Sequence, residues 1–87
     1  MIAEFQQVKD KTECTGDEED KGYLKRVEDC AINCNGVSSM FSYGTKKWGD
    51  SRCNQDGCKC LCELGATSSG TCNEKNHLGY DLYKYTG

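Results

Sequence analysis

Two short stretches decide the fold of this chain: CAINC at residues 30–34 and CKCLC at residues 58–62. Residues four apart on a helix share one face and are separated by about 6 Å along the helix axis. Residues two apart on a strand share one face and are separated by about 6.6 Å. A helix that carries C-x-x-x-C can therefore lie across a strand that carries C-x-C and form two nearly parallel disulfides with it.

The composition is that of a small domain held together by disulfides. Only 12 of the 87 residues are Ile, Leu, Val or Phe, whereas chains with less than about 20% of these residues tend to be disordered. The eight cysteines compensate for the weak core, because a disulfide that closes a loop of about 15 residues adds roughly 3 kcal/mol of stability. We therefore predict one disulfide-rich domain over residues 1–87.

The cysteines also predict where the protein is found. An even number of cysteines can pair completely, and stable disulfides form in oxidising compartments, so we expect a secreted, extracellular protein. Residues 1–13 contain no apolar run, which predicts that no signal peptide is present and that Met1 is an added start on a mature or recombinant chain. No apolar stretch approaches the ~18 residues that a transmembrane helix needs.

The net charge of −3 disfavours two classes of function. Nucleic-acid binding depends on basic groups that contact phosphates, and membrane-disrupting peptides carry Lys and Arg on one face. We expect this chain to belong to neither class.

A helical period is present in one segment. Apolar residues and cysteines recur at spacings of three and four from Tyr23 to Cys34, which predicts a helix over residues 24–34. The acidic residues 17–20 precede it, where negative charge suits the helix dipole. Asn35 and Gly36 follow it and are typical of a left-handed helix end.

Strands are predicted in most of the other segments. They cover residues 2–8, 37–43, 58–64 and 79–86, with a further short strand beginning at residues 52–53. Residues 54–57 (NQDG) are a strong turn signal. The polar segments 16–22, 44–51, 65–70 and 72–77 are predicted to be loops or irregular. These elements predict an α+β fold in which one helix packs on a twisted antiparallel sheet.

Alternation along the predicted strands assigns side chains to faces. Phe41 and Tyr43 share one face, with Met40 on the other. In the last strand, Leu82 points opposite to Tyr83 and Tyr85. In the cysteine strand, all three sulfurs point one way.

All eight cysteines are predicted to form disulfides: Cys14, Cys30, Cys34, Cys53, Cys58, Cys60, Cys62 and Cys72. Neighbours on the same face of one helix or one strand are too far apart to bond to each other. Both helix cysteines are therefore expected to bond to the sheet, at least one of them to the cysteines of residues 58–62. Cys14 and Cys72 lie near the two ends and are expected to tie the terminal segments together.

Two segments partly resemble metal sites, but no metal is predicted. CKCLC is similar to metallothionein clusters, whereas zinc sites prefer C-x2-4-C pairs and often histidine. Residues 17–28 partly fit a calcium-binding EF-hand loop, with Gly22 at position 6 and Glu28 at position 12. Lys21 stands where an oxygen ligand is needed, so the favoured interpretation is an acidic, solvated loop that leads into a helix.

No catalytic residue is predicted. His77 is the only histidine, and no serine or free cysteine forms a recognisable nucleophile arrangement with it. The acidic residues cluster in a polar loop, where their pKa values need not be perturbed. We expect neither enzyme activity nor a cofactor.

Aromatic and basic residues supply the candidate binding surface. Tyr and Trp are favoured anchors of protein interfaces and sugar sites. In a chain this poor in aliphatic residues, packing in the core is the alternative for each aromatic side chain. The candidate binding residues are Lys46, Lys47, Trp48, Tyr83 and Tyr85.

Three segments together resemble the PAN/apple family: VEDCAINC at residues 27–34, MFSYG at residues 40–44, and the cysteine strand at residues 58–62. The family pattern is a helix with C-x-x-x-C, an aromatic strand and a later cysteine strand, and the similarity covers roughly residues 5–85. It implies a helix bridged onto a twisted antiparallel sheet, with the termini together. The C-x-x-x-C and C-x-C pair is also similar to the cysteine-stabilised helix–sheet scaffold of defensins and scorpion toxins, which ranks second.

The resemblance to apple modules implies extracellular, non-catalytic recognition of proteins or carbohydrates. The alternative is a secreted toxin or host-defence protein that acts on an ion channel or a microbe. Lys46, Lys47 and Arg52 near Trp48 would then form its contact surface. A structural matrix or adhesive protein is a third, weaker hypothesis.

Overall fold

The computed structural model describes residues 4–87, so Ile2 of the predicted first strand lies outside the described residues. Within this range the chain forms, in order, β1 (Phe5–Lys9), β2 (Thr12–Cys14), β3 (Glu18–Leu24), α1 (Val27–Cys34), β4 (Met40–Gly44), β5 (Cys53–Asn54), β6 (Gly57–Glu63), β7 (Glu74–Asn76) and β8 (Tyr80–Tyr85).

The strands form two antiparallel sheets. The main sheet has the strand order β1-β8-β4-β6-β3, and β5 forms a hairpin with β6. β2 and β7 form a separate two-stranded sheet, and β2 lies against β4 and β8. The predicted α+β class, with one helix packed on an antiparallel sheet, is confirmed.

The hairpin between β5 and β6 forms at the predicted turn. Asn54 is paired with Gly57 across it. Gly57 has a φ of +130°, and a Cβ at this position would lie 2.1 Å from the carbonyl oxygen of Leu24. Glycine is therefore required for the close approach of this turn to the end of β3.

Four disulfides connect the elements. Cys30 bonds to Cys60 and Cys34 bonds to Cys62, with Cα–Cα distances of 5.4 and 5.3 Å. The prediction that both helix cysteines bond to the sheet is confirmed, and both partners lie in β6. The remaining bonds are Cys14–Cys72, which was also predicted, and Cys53–Cys58, which closes the β5–β6 hairpin.

Each face of the main sheet covers its own apolar cluster. The cluster beneath α1 contains its two cysteines, Cys60, Cys62 and the rings of Phe41 and Tyr43. The second cluster contains Met40 and Leu82, packed around the Cys14–Cys72 disulfide. The predicted alternation of Phe41 and Tyr43 against Met40 is therefore confirmed.

The helix is shorter than predicted, because it begins at Val27 rather than at residue 24. Tyr23 and Leu24 end β3, where they pair with Lys59 and Cys58 of β6. Leu24 packs against the helix-side cluster from its strand, so its apolar side chain reflects burial at the strand end rather than a helical period. The helix ends at Cys34 as predicted.

Two segments that were predicted to be loops contain strands. The acidic segment forms β3, which pairs with β6 and has an irregularity in register between Asp20 and Tyr23. The polar segment after Cys72 forms β7, which pairs with β2 beside the Cys14–Cys72 bond. Both strands pair with segments distant in sequence, so their composition alone indicated loops.

Candidate functional site

The segment between β4 and β5 carries an exposed tryptophan, and we call residues 45–52 the Trp48 loop. Thr45, its first residue, donates a backbone hydrogen bond to the Gly79 carbonyl at 2.8 Å. Arg52, its last residue, accepts one from the Lys59 backbone N–H at 2.9 Å. The first residue of the loop is thus attached to Gly79, which precedes β8, and the last residue is attached to β6.

Two lysine ammonium groups lie near the Trp48 ring, and we call Lys11, Lys47 and Trp48 the Trp48 surface. The Lys11 and Lys47 Nζ atoms are 4.6 and 5.7 Å from the ring centroid, within the ~6 Å range of cation–π interactions. Trp48 retains 37% of its surface exposed. The structure therefore places the two candidates Lys47 and Trp48 together, with the exposed Lys46 adjacent in sequence.

Lys11 was missed by sequence reasoning, because it comes from the turn between β1 and β2. This residue has a left-handed φ of 55°, and its backbone N–H donates to the Asp81 carboxylate at 3.2 Å. No local pattern in the sequence connects residue 11 to residue 48. The contact depends on the three-dimensional arrangement alone.

Arg52 belongs to a different group of side chains. Its guanidinium lies 3.1 Å from the His77 Nε2 atom and 5.8 Å from the Tyr80 ring centroid. The His77 and Tyr80 rings meet edge to face at 4.9 Å. Arg52 therefore packs with His77 and Tyr80, while its neighbours in sequence form the Trp48 surface.

A cavity of about 290 Å³ adjoins the Trp48 surface and shares Lys11 with it. Lys9 and Glu74 on its rim form an ion pair at 3.2 Å. The lining is polar throughout and consists of Lys9, Asp10, Lys11, Thr12, Glu74, Lys75 and Asn76. This end of the molecule thus combines an indole with several ammonium groups and with the carboxylates of Asp10 and Glu74.

Tyr83 and Tyr85 pack against the cluster beneath α1. Burial raises the pKa of Tyr83 to about 12 and moves the pKa of Tyr85 well above its usual value. The Tyr85 hydroxyl donates a hydrogen bond to the Ala31 carbonyl oxygen. Tyr83 and Tyr85, which the sequence analysis named as candidate binding residues, therefore pack against the core instead.

The two segments that resembled metal sites have other structures. Residues 18–24 of the EF-hand-like segment are an extended strand rather than a loop. The cysteines of CKCLC are bonded to Cys30, Cys34 and Cys53, and every cysteine of the chain is in a disulfide. None of these sulfurs is a thiolate that could hold zinc.

A surface cavity of about 470 Å³ lies between the helix end and the loop after β6. Its lining consists of Gly36, Val37, Ser38, Ser39, Leu64, Ala66, Thr67 and Ser68. These residues are small, apolar or hydroxylated, and none of them is titratable. The cavity therefore offers no general acid or base.

No protein-family model, curated protein or solved structure matches this chain. In the described residues, no helix is long and apolar enough to cross a membrane.

Proposed function

We propose that this chain is an extracellular recognition module of the apple type, without catalysis, that binds acidic groups of a partner protein or glycan. The observation that carries the proposal is the exposed Trp48 ring with the ammonium groups of Lys11 and Lys47 beside it. An indole offers apolar area for a sugar ring or a side chain, while the ammonium groups pair with carboxylate or sulfate.

Attachment of the Trp48 loop to the sheet supports this role. A surface that is already ordered loses less conformational entropy when a ligand binds. The loop is held by backbone hydrogen bonds from Thr45 to Gly79 and from Lys59 to Arg52. The adjoining cavity adds Lys75 and Asn76 as further polar contacts for a ligand that extends beyond the indole.

The extracellular assignment is supported by the four disulfides, since such bonds persist in oxidising compartments. The apple-type assignment is supported by the helix bridged onto the cysteine strand through Cys30–Cys60 and Cys34–Cys62. Apple modules present binding residues on variable surfaces, so the Trp48 surface is assigned from this chain alone.

A binding screen with the oxidised chain tests the proposal. The probes are sulfated glycans, uronate-containing glycans, neutral glycans and acidic peptides, immobilised on separate sensor surfaces. We expect binding to acidic probes only, and we expect it to weaken as salt screens the lysine charges. Binding to none of the acidic probes, or equal binding to the neutral glycans, would contradict the proposal.

Variants locate the binding site. Trp48→Ala and Lys11→Gln are each expected to lower affinity about 10-fold, because residues at the centre of an interface carry most of the binding energy. Tyr23→Ala is the matched control, since the Lys59 ammonium lies 5.0 Å from the Tyr23 ring in a comparable pair. Equal losses in the Trp48 and Tyr23 variants would exclude the Trp48 surface as the binding site.

The second candidate function is a secreted toxin or defence protein, and the Lys47–Trp48 pair on a disulfide-bonded scaffold favours it. An exposed ammonium group is attracted to the carbonyl or carboxylate oxygens that line a cation channel. Electrophysiology and a growth-inhibition assay at micromolar protein separate this function from recognition. Channel block or growth inhibition that Trp48→Ala abolishes would favour the toxin, and no effect would remove it.

A further inference from the structure

Three glutamates from three strands bring their carboxyl groups together. Glu13 lies in β2, Glu18 begins β3 and Glu63 ends β6. Glu18 and Glu63 are directly opposite each other in the β3–β6 pairing. One carboxylate oxygen from each glutamate lies within 4.8 Å of the other two. We call Glu13, Glu18 and Glu63 the glutamate cluster.

Glu63 is completely buried, and one of its two oxygens is unsatisfied. Its Oε2 atom accepts hydrogen bonds from the Ser42 hydroxyl and from the Cys14 backbone N–H, the latter at 3.3 Å. Its Oε1 atom has no hydrogen-bond partner among the described residues. A buried carboxylate oxygen without a partner is costly, so this atom calls for a ligand.

Basic side chains lie near only one of the three glutamates of the cluster. Lys75 Nζ and His77 Nε2 each lie 3.8 Å from the Glu13 Oε2 atom. Among the ion pairs of residues 4–87, none involves Glu18 or Glu63. The described residues thus place no basic group beside the Glu18 or Glu63 carboxylates.

We propose that the glutamate cluster is a binding site for a calcium ion. Calcium takes oxygen ligands at about 2.3–2.6 Å, so two oxygens bound to one ion lie no more than about 5 Å apart. The three glutamate oxygens, which all lie within 4.8 Å of one another, fit this requirement. The ion would supply the missing partner of the Glu63 Oε1 atom and neutralise the cluster.

The donor set and its exposure favour calcium over other cations. All three side chains offer oxygen, which suits hard cations. Calcium accepts carboxylates in a flexible geometry with six to eight oxygens, whereas magnesium needs a nearly ideal octahedron. Glu18 is exposed while Glu13 and Glu63 are buried, so water can complete the calcium coordination from the Glu18 side. This inference does not depend on the function of the Trp48 surface.

Calorimetry on the oxidised, chelator-treated chain tests the site with calcium chloride as the probe. We expect one ion per chain with a Kd of roughly 10⁻⁴–10⁻³ M, as in other extracellular calcium modules. At calcium ten times above Kd, the folding equilibrium constant should rise about 11-fold. Amide NMR shifts should change most around Glu13, Glu18 and Glu63.

Variants separate the site from general effects of charge. Glu18→Gln is expected to abolish calcium binding, and it should fold because Glu18 is exposed. Glu19→Gln is the matched control, since it removes the same charge one residue away, where Glu19 is paired with Lys21. This control should bind calcium like the unaltered chain. Glu63→Gln gives a second variant at the buried position.

Three results would overturn the proposal. The first is that the unaltered chain takes up no calcium at concentrations up to about ten times the upper limit of the expected Kd. A proton shared by Glu18 and Glu63 in place of the ion would produce this result. The second is unchanged binding in a correctly disulfide-bonded Glu18→Gln variant. The third is magnesium binding as tight as calcium binding.

Discussion

Phe41 and Tyr83 lie opposite each other on β4 and β8, and their rings stack with centroids 5.1 Å apart and planes 5° apart. The Phe5 ring meets the Phe41 ring edge to face, with centroids 5.6 Å apart. The Tyr85 and Phe41 ring centroids are 5.4 Å apart. In a chain with so few aliphatic residues, these rings replace the leucines and valines of an ordinary core. Aromatic pairs of this kind add about 0.5–1.5 kcal/mol beyond the burial of their area.

Phe41→Ala is therefore expected to lower the free energy of unfolding by about 3–5 kcal/mol, because it leaves a cavity among these rings. Trp48→Ala, at an exposed position, should change the free energy by no more than about 0.5 kcal/mol. Guanidinium denaturation of the oxidised variants measures both values. Similar losses in the two variants would show that the stacked rings are not the centre of the core.

Stability should fall in alkaline solution. A buried tyrosine with a raised pKa stays neutral in the folded state, whereas in the unfolded state it ionises near pH 10. The contribution of Tyr83 to the free energy of unfolding is fully present below pH 10. It is lost as the pH rises towards the pKa of Tyr83 in the folded state, about 12. Denaturation at several pH values from 8 to about 11.5 would show the decline. In Tyr83→Phe, the free energy of unfolding should fall less steeply with rising pH. An unchanged decline would contradict this assignment.

The disulfides should differ in their contributions according to the length of chain that each closes. Cys14–Cys72 spans 58 residues and Cys53–Cys58 spans 5. Replacing both cysteines of a bond by Ala should cost about 4 kcal/mol for the first and about 2 kcal/mol for the second. Denaturation of the two double variants compares them directly. A larger loss on removing the hairpin bond would show that local geometry outweighs loop entropy.

Gly57→Ala should be more destabilising than Gly22→Ala. Both glycines have a positive φ, so both variants lose about 1–2 kcal/mol through backbone strain. Only at Gly57 would the new Cβ also collide with the Leu24 carbonyl, whereas the space around Gly22 is open. Thermal unfolding of both variants gives the comparison. Equal losses would indicate that the hairpin moves away from β3 without cost.

The sequence predicted those parts of the fold that depend on local spacing. The bonds of Cys30 and Cys34 to β6 followed from the match between helical and strand periods. The hairpin followed from the turn ending in Gly57, and the two faces of β4 followed from simple alternation. In each case the signal is the periodicity or the turn residues within a short segment, or, for the two disulfides, the match between two such segments.

Features that depend on distant segments were not predictable. β3 forms because β6 offers it hydrogen bonds, although its composition is typical of a loop. β7 forms beside the Cys14–Cys72 bond for the same reason. At the Trp48 surface, Lys47 could be named from its position next to Trp48, whereas Lys11 comes from another turn. The glutamate cluster joins three strands, so no motif could reveal it.

β3 is the terminal strand on its side of the main sheet. The outer backbone groups of such a strand invite pairing with a second molecule, which is the first step of fibre growth. The acidic run at residues 17–20 places like charges on any two strands that approach each other in this way. Their repulsion opposes such edge-to-edge pairing, and this opposition weakens as salt increases.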